Sequence, residues 1–217
     1  MSGPAPRRLG EDPARAAAGL VLVHGRTQSP EAMVELVLDR LDLAGLTVVL
    51  PRAKGASWYD AKAVDPLSAA TGAQMDMALA QVAGDLAPVA EARVPWMLAG
   101  FSQGACLALE YALTGAGPRP AMLAALTGSR VGAPGSERAA EADLSGLDAY
   151  LTDGKDDPWI PLANFAGAGA ALAAAGARVR TDAFPDRAHT VCDAEIAVLS
   201  DMLAALRAGR RAFEGGA

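Results

Sequence analysis

One short segment of the sequence has the residue types and spacing of a nucleophilic serine site. Residues 100–104 read GFSQG and fit the pattern G-x-S-x-G, with Ser102 at the centre. The apolar run 96–99 comes just before the pattern and a helical segment follows it. That context is typical of a tight strand-to-helix turn, which lifts a serine hydroxyl clear of a sheet. The pattern therefore predicts Ser102 as a nucleophile, and the structural alternative is a serine that only caps a helix.

A serine nucleophile needs a base, and histidine is the usual one. The sequence contains only two histidines, His24 and His189. In sites built on this turn the chain order is serine, then acid, then histidine. We therefore expect His189 to be the base. His24 ends the first predicted strand, which is the place for a loop that binds an oxyanion.

The acid should follow the fifth predicted strand, where the sequence offers Asp153, Asp156 and Asp157. Spacing alone does not choose among them. The carboxylate of such a site must be held still, so that it can fix the tautomer of the imidazole. Asp157 is favoured on that ground because Pro158 restrains it and two apolar residues follow. For Asp153 and Asp156 we favour solvated turn positions.

A tetrahedral intermediate needs two N–H donors. The backbone N–H of Gln103, directly after the nucleophile, is one candidate. The second candidate is the N–H of Arg26 in the loop after the first strand. Three aromatic residues near strand ends are candidates for substrate binding, although apolar residues at such places often belong to the core: Trp58, Tyr59 and Trp159.

The elements that must position these residues alternate along the chain. Apolar runs predict strands at 19–24, 46–50, 96–99, 121–126, 147–151 and 179–184. Helical spacing predicts helices after Ser29 and over 75–90, 103–113, 162–175 and 193–208, with loops at 52–72 and 128–145. The alternation predicts an α/β fold, a mostly parallel central sheet with helices on both faces. The candidate site residues all follow carboxyl ends of strands, where such sheets bind ligands.

Length and composition limit the classes of function. The chain has 217 residues, 52% of them hydrophobic, and a net charge of −6. We expect one domain over 17–210, a flexible leader over 1–16 and a frayed tail over 211–217. The acidic balance argues against nucleic acid as a partner, and no apolar run suits stable membrane insertion. Two cysteines without metal spacing predict a cytoplasmic protein with no metal or other cofactor.

With these residues placed, the chain resembles the phospholipase/carboxylesterase family of α/β hydrolases, which includes acyl-protein thioesterases and bacterial carboxylesterases. The resemblance runs from Gly19 to about Leu206. Its most specific part is the GFSQGA of 100–105, supported by the VHG of 23–25 and by His189. Residues 154–161 resemble the family's G-x-x-D-x-x-V-P acid loop, which selects Asp157 over its neighbours.

The resemblance implies a Ser102-Asp157-His189 triad in an α/β-hydrolase fold, and the short chain leaves no room for a large cap domain. The implied activity is that of a serine carboxylesterase acting on small to medium esters, as a monomer or homodimer. The alternatives are an acyl-protein thioesterase or lysophospholipase with the same triad, and a non-catalytic binding protein.

One departure from the family concerns its oxyanion motif. The second glycine of its H-G-x-G motif is Thr27 here. A β-branched residue takes glycine-only backbone angles at a cost. Either this loop has another shape, or the position needs no positive φ.

Overall fold

Short apolar segments form the strands of one seven-stranded sheet in the computed structural model, which describes residues 3–213. In chain order the elements are β1 (Arg7–Gly10), β2 (Ala18–Val23), α1 (Pro30–Leu36), a 3-10 turn (Leu38–Arg40), β3 (Leu46–Leu50), α2 (Ala69–Glu91), β4 (Trp96–Phe101), α3 (Gln103–Thr114), β5 (Met122–Leu126), β6 (Asp148–Gly154), α4 (Leu162–Ala174), β7 (Arg178–Phe184) and α5 (Asp193–Arg207).

The strand order is β1-β3-β2-β4-β5-β6-β7, and every pairing except that of β1 is parallel. Strands β2 to β6 are buried at every position, which explains their nearly continuous apolar sequence. Helices α2, α3 and α4 pack on one face of the sheet, and α1 and α5 pack on the other. The predicted fold class, a mostly parallel sheet covered on both faces, is confirmed, and residues 3–213 contain no large cap domain.

The first strand corrects the prediction of a flexible leader over 1–16. Strand β1 pairs antiparallel with β3, with Arg7 opposite Leu50 and Gly10 opposite Thr47. Its burial alternates, and only Leu9 packs against the core. An edge strand of this kind is held by backbone hydrogen bonds, so it carries little apolar signal in the sequence.

The chain end corrects the prediction of a frayed tail over 211–217. The backbone N–H of Ala212 donates to Oδ2 of the buried Asp148 at 2.7 Å, and Ala212 is itself buried. The guanidinium of Arg211 also binds the Asp148 carboxylate, and Phe213 packs against the core. These contacts hold residues 211–213, and the rest of the predicted tail lies outside the described residues.

Helix α2 begins earlier than the sequence pattern indicates. It starts at Ala69, not near Met75, because the Ser68 side chain caps it by accepting from the N–H of Thr71 at 3.1 Å. The predicted loop 52–72 therefore ends at Ser68. No helix within residues 3–213 is both long and apolar enough to cross a membrane.

Candidate active site

The strand-to-helix turn at Ser102 is sharp and strained. Ser102 has φ 54° and ψ −122° between β4 and α3, a backbone conformation that residues other than glycine rarely adopt. Close packing imposes the turn. A Cβ on Gly100 would lie 2.3 Å from the carbonyl oxygen of Gly104, and one on Gly104 would lie 2.1 Å from that of Val23. Because these positions are glycine, the start of α3 can pack directly against the end of β2.

Three side chains from separate parts of the sequence form one hydrogen-bonded chain. Nε2 of His189 lies 2.9 Å from Oγ of Ser102, and Nδ1 lies 2.7 Å from Oδ2 of Asp157. The other carboxylate oxygen of Asp157 accepts from the N–H groups of Trp159 and Ile160, at 2.8 and 3.0 Å. Because the carboxylate favours the proton on Nδ1, Nε2 is left free to accept the hydroxyl proton of Ser102. The arrangement can deprotonate a serine and stabilise the resulting imidazolium.

The two other candidate aspartates differ from each other. Asp156 is exposed, as a solvated turn residue should be. The same prediction for Asp153 is wrong, because β6 extends to Gly154 and carries Asp153 into the interior. Its Oδ1 accepts from the N–H of Gly154 at 2.9 Å, and its Oδ2 has no hydrogen-bond partner within residues 3–213. Burial, together with the negative charge of Asp157, raises the pKa of Asp153 to about 7.

The two predicted oxyanion donors lie beside Ser102 in the cavity wall. Gln103 is the first residue of α3, where a backbone N–H has no acceptor within the helix. No hydrogen bond to a described residue engages the backbone N–H of Gln103 or of Arg26. Both groups are therefore available to a bound oxygen.

The side chains of the same two residues hold the loop that lies between β3 and α2. The amide of Gln103 accepts from the N–H of Trp58 at 3.0 Å and donates to the carbonyl of Tyr59 at 2.8 Å. The Arg26 guanidinium donates to the carbonyls of Tyr59, Asp60 and Ala61 at 2.7–3.0 Å. Each candidate donor residue thus also holds this loop through its side chain, which the motif alone does not reveal.

Thr27 resolves the question raised by the missing glycine. Its φ is 59°, so the position does require the left-handed region, and the threonine adopts it. That conformation costs roughly 1–2 kcal/mol for a residue with a Cβ. The Thr27 N–H donates to the carbonyl of Ala56 and its hydroxyl donates to that of Arg26, both at 2.6 Å. Because the N–H of Thr27 is bound to Ala56, the N–H of Arg26 remains the candidate donor in this loop.

His24 supports the loop that follows β2 and carries Arg26. It is buried, its Nδ1 lies 2.7 Å from the carbonyl of Gly25, and its Nε2 accepts from the N–H of Ala53 at 3.1 Å. Burial lowers the pKa of His24, so the ring is neutral in this position. The indole N–H of Trp58 donates to the His24 carbonyl at 2.8 Å. These bonds tie the loop that follows β2 to the segment that follows β3.

A cavity of about 590 Å³ opens beside Ser102. Tyr59 and Trp159 line it, and Trp159 is 59% exposed at the surface. Trp58, the third residue predicted to bind substrate, does not line this cavity. Its indole turns toward His24, where the buried N–H finds an acceptor. Within residues 3–213 no group of three or more metal-binding side chains could hold a metal ion.

Cys106 lines the cavity, which the sequence alone did not indicate. This residue lies one turn beyond Ser102 on α3 and is buried in the wall of the cavity. Burial raises the pKa of Cys106 to about 11, so its side chain is a neutral thiol there. Its position on α3 was the available signal, since residues one turn apart share a helix face.

The sequence profile described as Phospholipase/Carboxylesterase matches residues 10–207. A phospholipase/carboxylesterase from Dyadobacter fermentans DSM 18053 is 26% identical, with a TM-score of 0.82 over 94% of this chain and 98% of that one. The acyl-protein thioesterase 2 of Zea mays is 21% identical, with a TM-score of 0.72 over 94% and 99%. The Bacillus cereus carboxylesterase is 16% identical, with a TM-score of 0.69 over 92% and 93%. No curated protein matches the sequence significantly.

Proposed function

Since the chain belongs to the phospholipase/carboxylesterase family and is a hydrolase that acts on esters, we propose that it is a serine carboxylesterase that cleaves small to medium carboxylic esters through an acyl-enzyme on Ser102. One observation carries the proposal. The imidazole of His189 bridges Ser102 and Asp157 with hydrogen bonds of 2.9 and 2.7 Å. Those distances suit proton transfer and tautomer control by one histidine.

The reaction has two steps. As Oγ of Ser102 attacks the ester carbonyl, Nε2 of His189 takes the hydroxyl proton, and Asp157 stabilises the imidazolium. The C–O bond to the alcohol breaks, and the alcohol leaves with the proton from His189. Water then attacks the acyl-enzyme with His189 again as base, and the carboxylic acid and free Ser102 are released.

The oxyanion of each tetrahedral intermediate accepts from the backbone N–H groups of Arg26 and Gln103. Two donors fixed before the reaction begins stabilise the charge that develops on the carbonyl oxygen. Thr27 supports this role, because its own N–H is bound to Ala56 and its strained conformation sets the direction of the loop. The positive end of the α3 dipole favours the same charge.

The shape of the cavity supports substrates of small to medium size. It lies at the surface, with Tyr59, Ile160 and Trp159 among its apolar walls. We propose that the acyl or alcohol group of the ester packs against this wall, in contact with Tyr59 and Trp159. A cytoplasmic location and a monomeric or homodimeric state stay predictions from the sequence.

The test is a rate profile on p-nitrophenyl esters and matching thioesters of rising acyl length. We expect the highest kcat/KM for oxygen esters of short to medium chain, and a loss of about 10³-fold or more in Ser102→Ala. The matched serine control is Ser145→Ala. Ser145 is an exposed loop residue that does not line the cavity, so this variant should keep the wild-type rate.

Three outcomes would change the proposal. Full activity in Ser102→Ala would remove the serine mechanism. A strong preference for long-chain thioesters would keep the mechanism and replace the carboxylesterase by an acyl thioesterase. With lysophospholipids measured as a third substrate set, a preference for them would assign the lysophospholipase alternative.

A further inference from the structure

The backbone around His189 forms a turn of three residues. The N–H of Thr190 donates to the carbonyl of Ala188 at 2.7 Å, which closes an i to i+2 turn with His189 at its centre. This turn lies in the loop between β7 and α5. The orientation of the His189 imidazole therefore depends on how firmly the carbonyls of Ala188 and Thr190 are held.

Arg187 holds both of those carbonyls with one side-chain nitrogen. Its Nη1 donates to the carbonyl of Ala188 at 3.3 Å and also to the carbonyl of Thr190. The side chain of Arg187 is only 4% exposed, so water competes little for these bonds. The guanidinium thus spans the turn from one side of His189 to the other.

The charge of Arg187 is balanced by a fixed carboxylate. Its Nε lies 3.6 Å from Oε2 of Glu195, and the Glu195 side chain is fully buried. Glu195 is itself held by the hydroxyl of Thr152 at 2.5 Å and by the N–H of Cys192 at 2.7 Å. Contacts from β6 and from the start of α5 therefore fix the anion that attracts Arg187.

The same arginine lies against the loop that carries the acid. A Cβ on Gly154 would lie 2.5 Å from the carbonyl oxygen of Arg187, so the two backbones pack in direct contact. The guanidinium carbon is 5.6 Å from the centre of the Phe184 ring on β7. Arg187 therefore lies between the turn that carries His189 and the loop that carries Asp157.

This arrangement is costly as a means of stability alone. A buried charge is expensive to desolvate, and Nε and Nη2 of Arg187 have no hydrogen-bond partner within residues 3–213. An apolar side chain of similar length would fill the space at lower cost. What the guanidinium supplies here, and an apolar side chain does not, is a donor to the carbonyls on both sides of His189.

We propose that Arg187 is a positioning residue for the reaction, which fixes the turn at His189 so that the imidazole meets Ser102 and Asp157 together. The proposal rests on the proposed role of His189 as the base. Arg187 does not contact the reacting atoms and acts through the backbone of its neighbours.

The test is Arg187→Met, which keeps an unbranched side chain and removes the donors and the charge. We expect kcat to fall by about 10- to 100-fold, the range that small misplacement of a reacting group produces, with KM changed less than about twofold. Arg187→Lys keeps the charge and a donor, so it should recover part of the lost kcat.

The pH profile gives a readout that a purely structural role would not move. The carboxyl groups that face Arg187 are those of Asp153 and Glu195, and the variant removes the positive charge beside them. The acidic limb of kcat/KM in Arg187→Met should move to higher pH.

A matched control is Arg119→Met. Arg119 also donates through one nitrogen to two loop carbonyls, those of Asp143 and Ser145, and does not line the cavity. It should keep the wild-type kcat and pH profile. If Arg187→Met does not fold, Arg187→Gln replaces it, and a wild-type kcat with an unmoved acidic limb in that folded variant would overturn the inference.

Two sets of results separate the inference from the proposed function. A folded Arg187→Met with wild-type kcat and an unmoved pH profile overturns the inference, as does a change confined to KM. Full activity in His189→Ala would instead overturn the proposed function, whatever Arg187→Met does.

Discussion

Asp153 and Asp157 show how near neighbours in the sequence become two different carboxyl groups. Asp157 lies where two backbone N–H groups and His189 point at its oxygens. Asp153 receives one backbone N–H, lies in the interior at the end of β6, and faces the charge of Asp157. The first environment stabilises an anion and the second opposes one.

The raised pKa of Asp153 makes a prediction about stability. Between pH about 4 and 7 the unfolded chain loses this proton while the folded chain keeps it, so stability falls as pH rises through that range. Asp153→Asn should lack this fall and be more stable than wild type at pH 8, by about 1–3 kcal/mol. Urea unfolding at pH 5 and pH 8 measures both free energies.

Asp156→Asn is the control for that measurement. Asp156 is an exposed neighbour in the same loop, so the variant should follow the wild-type pH profile. Equal stability of Asp153→Asn and wild type at both pH values would show that Asp153 is charged in the folded protein at neutral pH.

The sequence indicated Asp157 as the candidate acid, but it did not indicate that Asp153 is buried and has a raised pKa. Asp157 stood out because Pro158 and two apolar residues follow it. Asp153 looked like a turn residue because aspartate at the end of an apolar run usually marks the end of a strand. Its burial depends on β7, which pairs with β6 as far as Gly154. A contact between strands that are distant in the sequence leaves no local signal.

At the scale of elements, the turn at Ser102 depends on the approach of α3 to β2. The helix begins one residue after the strained serine, and Gly104 lies against the backbone of Val23 and His24. No side chain fits between those backbones. The geometry of the proposed nucleophile is therefore set by backbone contact rather than by side-chain packing.

Gly104→Ala tests this dependence. The added methyl would lie 2.1 Å from the carbonyl oxygen of Val23, so the helix or strand must move. We expect a loss of about 1–3 kcal/mol or more in the free energy of unfolding, with a fall in esterase kcat. Chemical denaturation and steady-state kinetics on the same preparation measure the two effects.

Gly167→Ala is the matched control on α4. Nothing lies within 4 Å of a Cβ at that exposed helical position, so alanine should raise stability by up to about 1 kcal/mol through its helix propensity. If both variants behaved alike, backbone contact at Gly104 would not explain the turn.

Element types were predictable where local patterns are strong. The apolar runs of β2, β4 and β5 and the cap at Ser29 each identify an element without tertiary information. Strand β1 has no such pattern, because it is held by backbone hydrogen bonds to β3. The start of α2 was missed because Ala69 to Gly72 lacks the apolar spacing that begins at Met75.

At the scale of the whole molecule, strand order assembles the candidate site. Strands β4, β5, β6 and β7 are consecutive neighbours and parallel, so the loops that follow β4, β6 and β7 meet at one edge of the sheet. Ser102, Asp157 and His189 come from those three loops. Alternation of strands and helices predicted that edge, whereas the distances between side chains required the folded chain.

The chain end shows what a reading of local pattern leaves out. Asp148 begins β6 in the interior, and burial raises its pKa, but hydrogen bonds from Arg211, Arg178 and the N–H of Ala212 outweigh burial and hold the pKa below its ordinary value. The partners lie 30 or more residues from Asp148 in the sequence. Polar residues near a terminus resemble a frayed tail until their partner is known.

The central claim, that Ser102 is a nucleophile activated by His189, is tested most directly by covalent labelling. The folded protein is treated with a fluorophosphonate, and the adduct is located by mass spectrometry of its peptides. We predict one adduct, on Ser102, formed at least about 10³-fold more slowly in His189→Gln. An adduct on another residue, or no adduct in a preparation that still hydrolyses esters, would contradict the account.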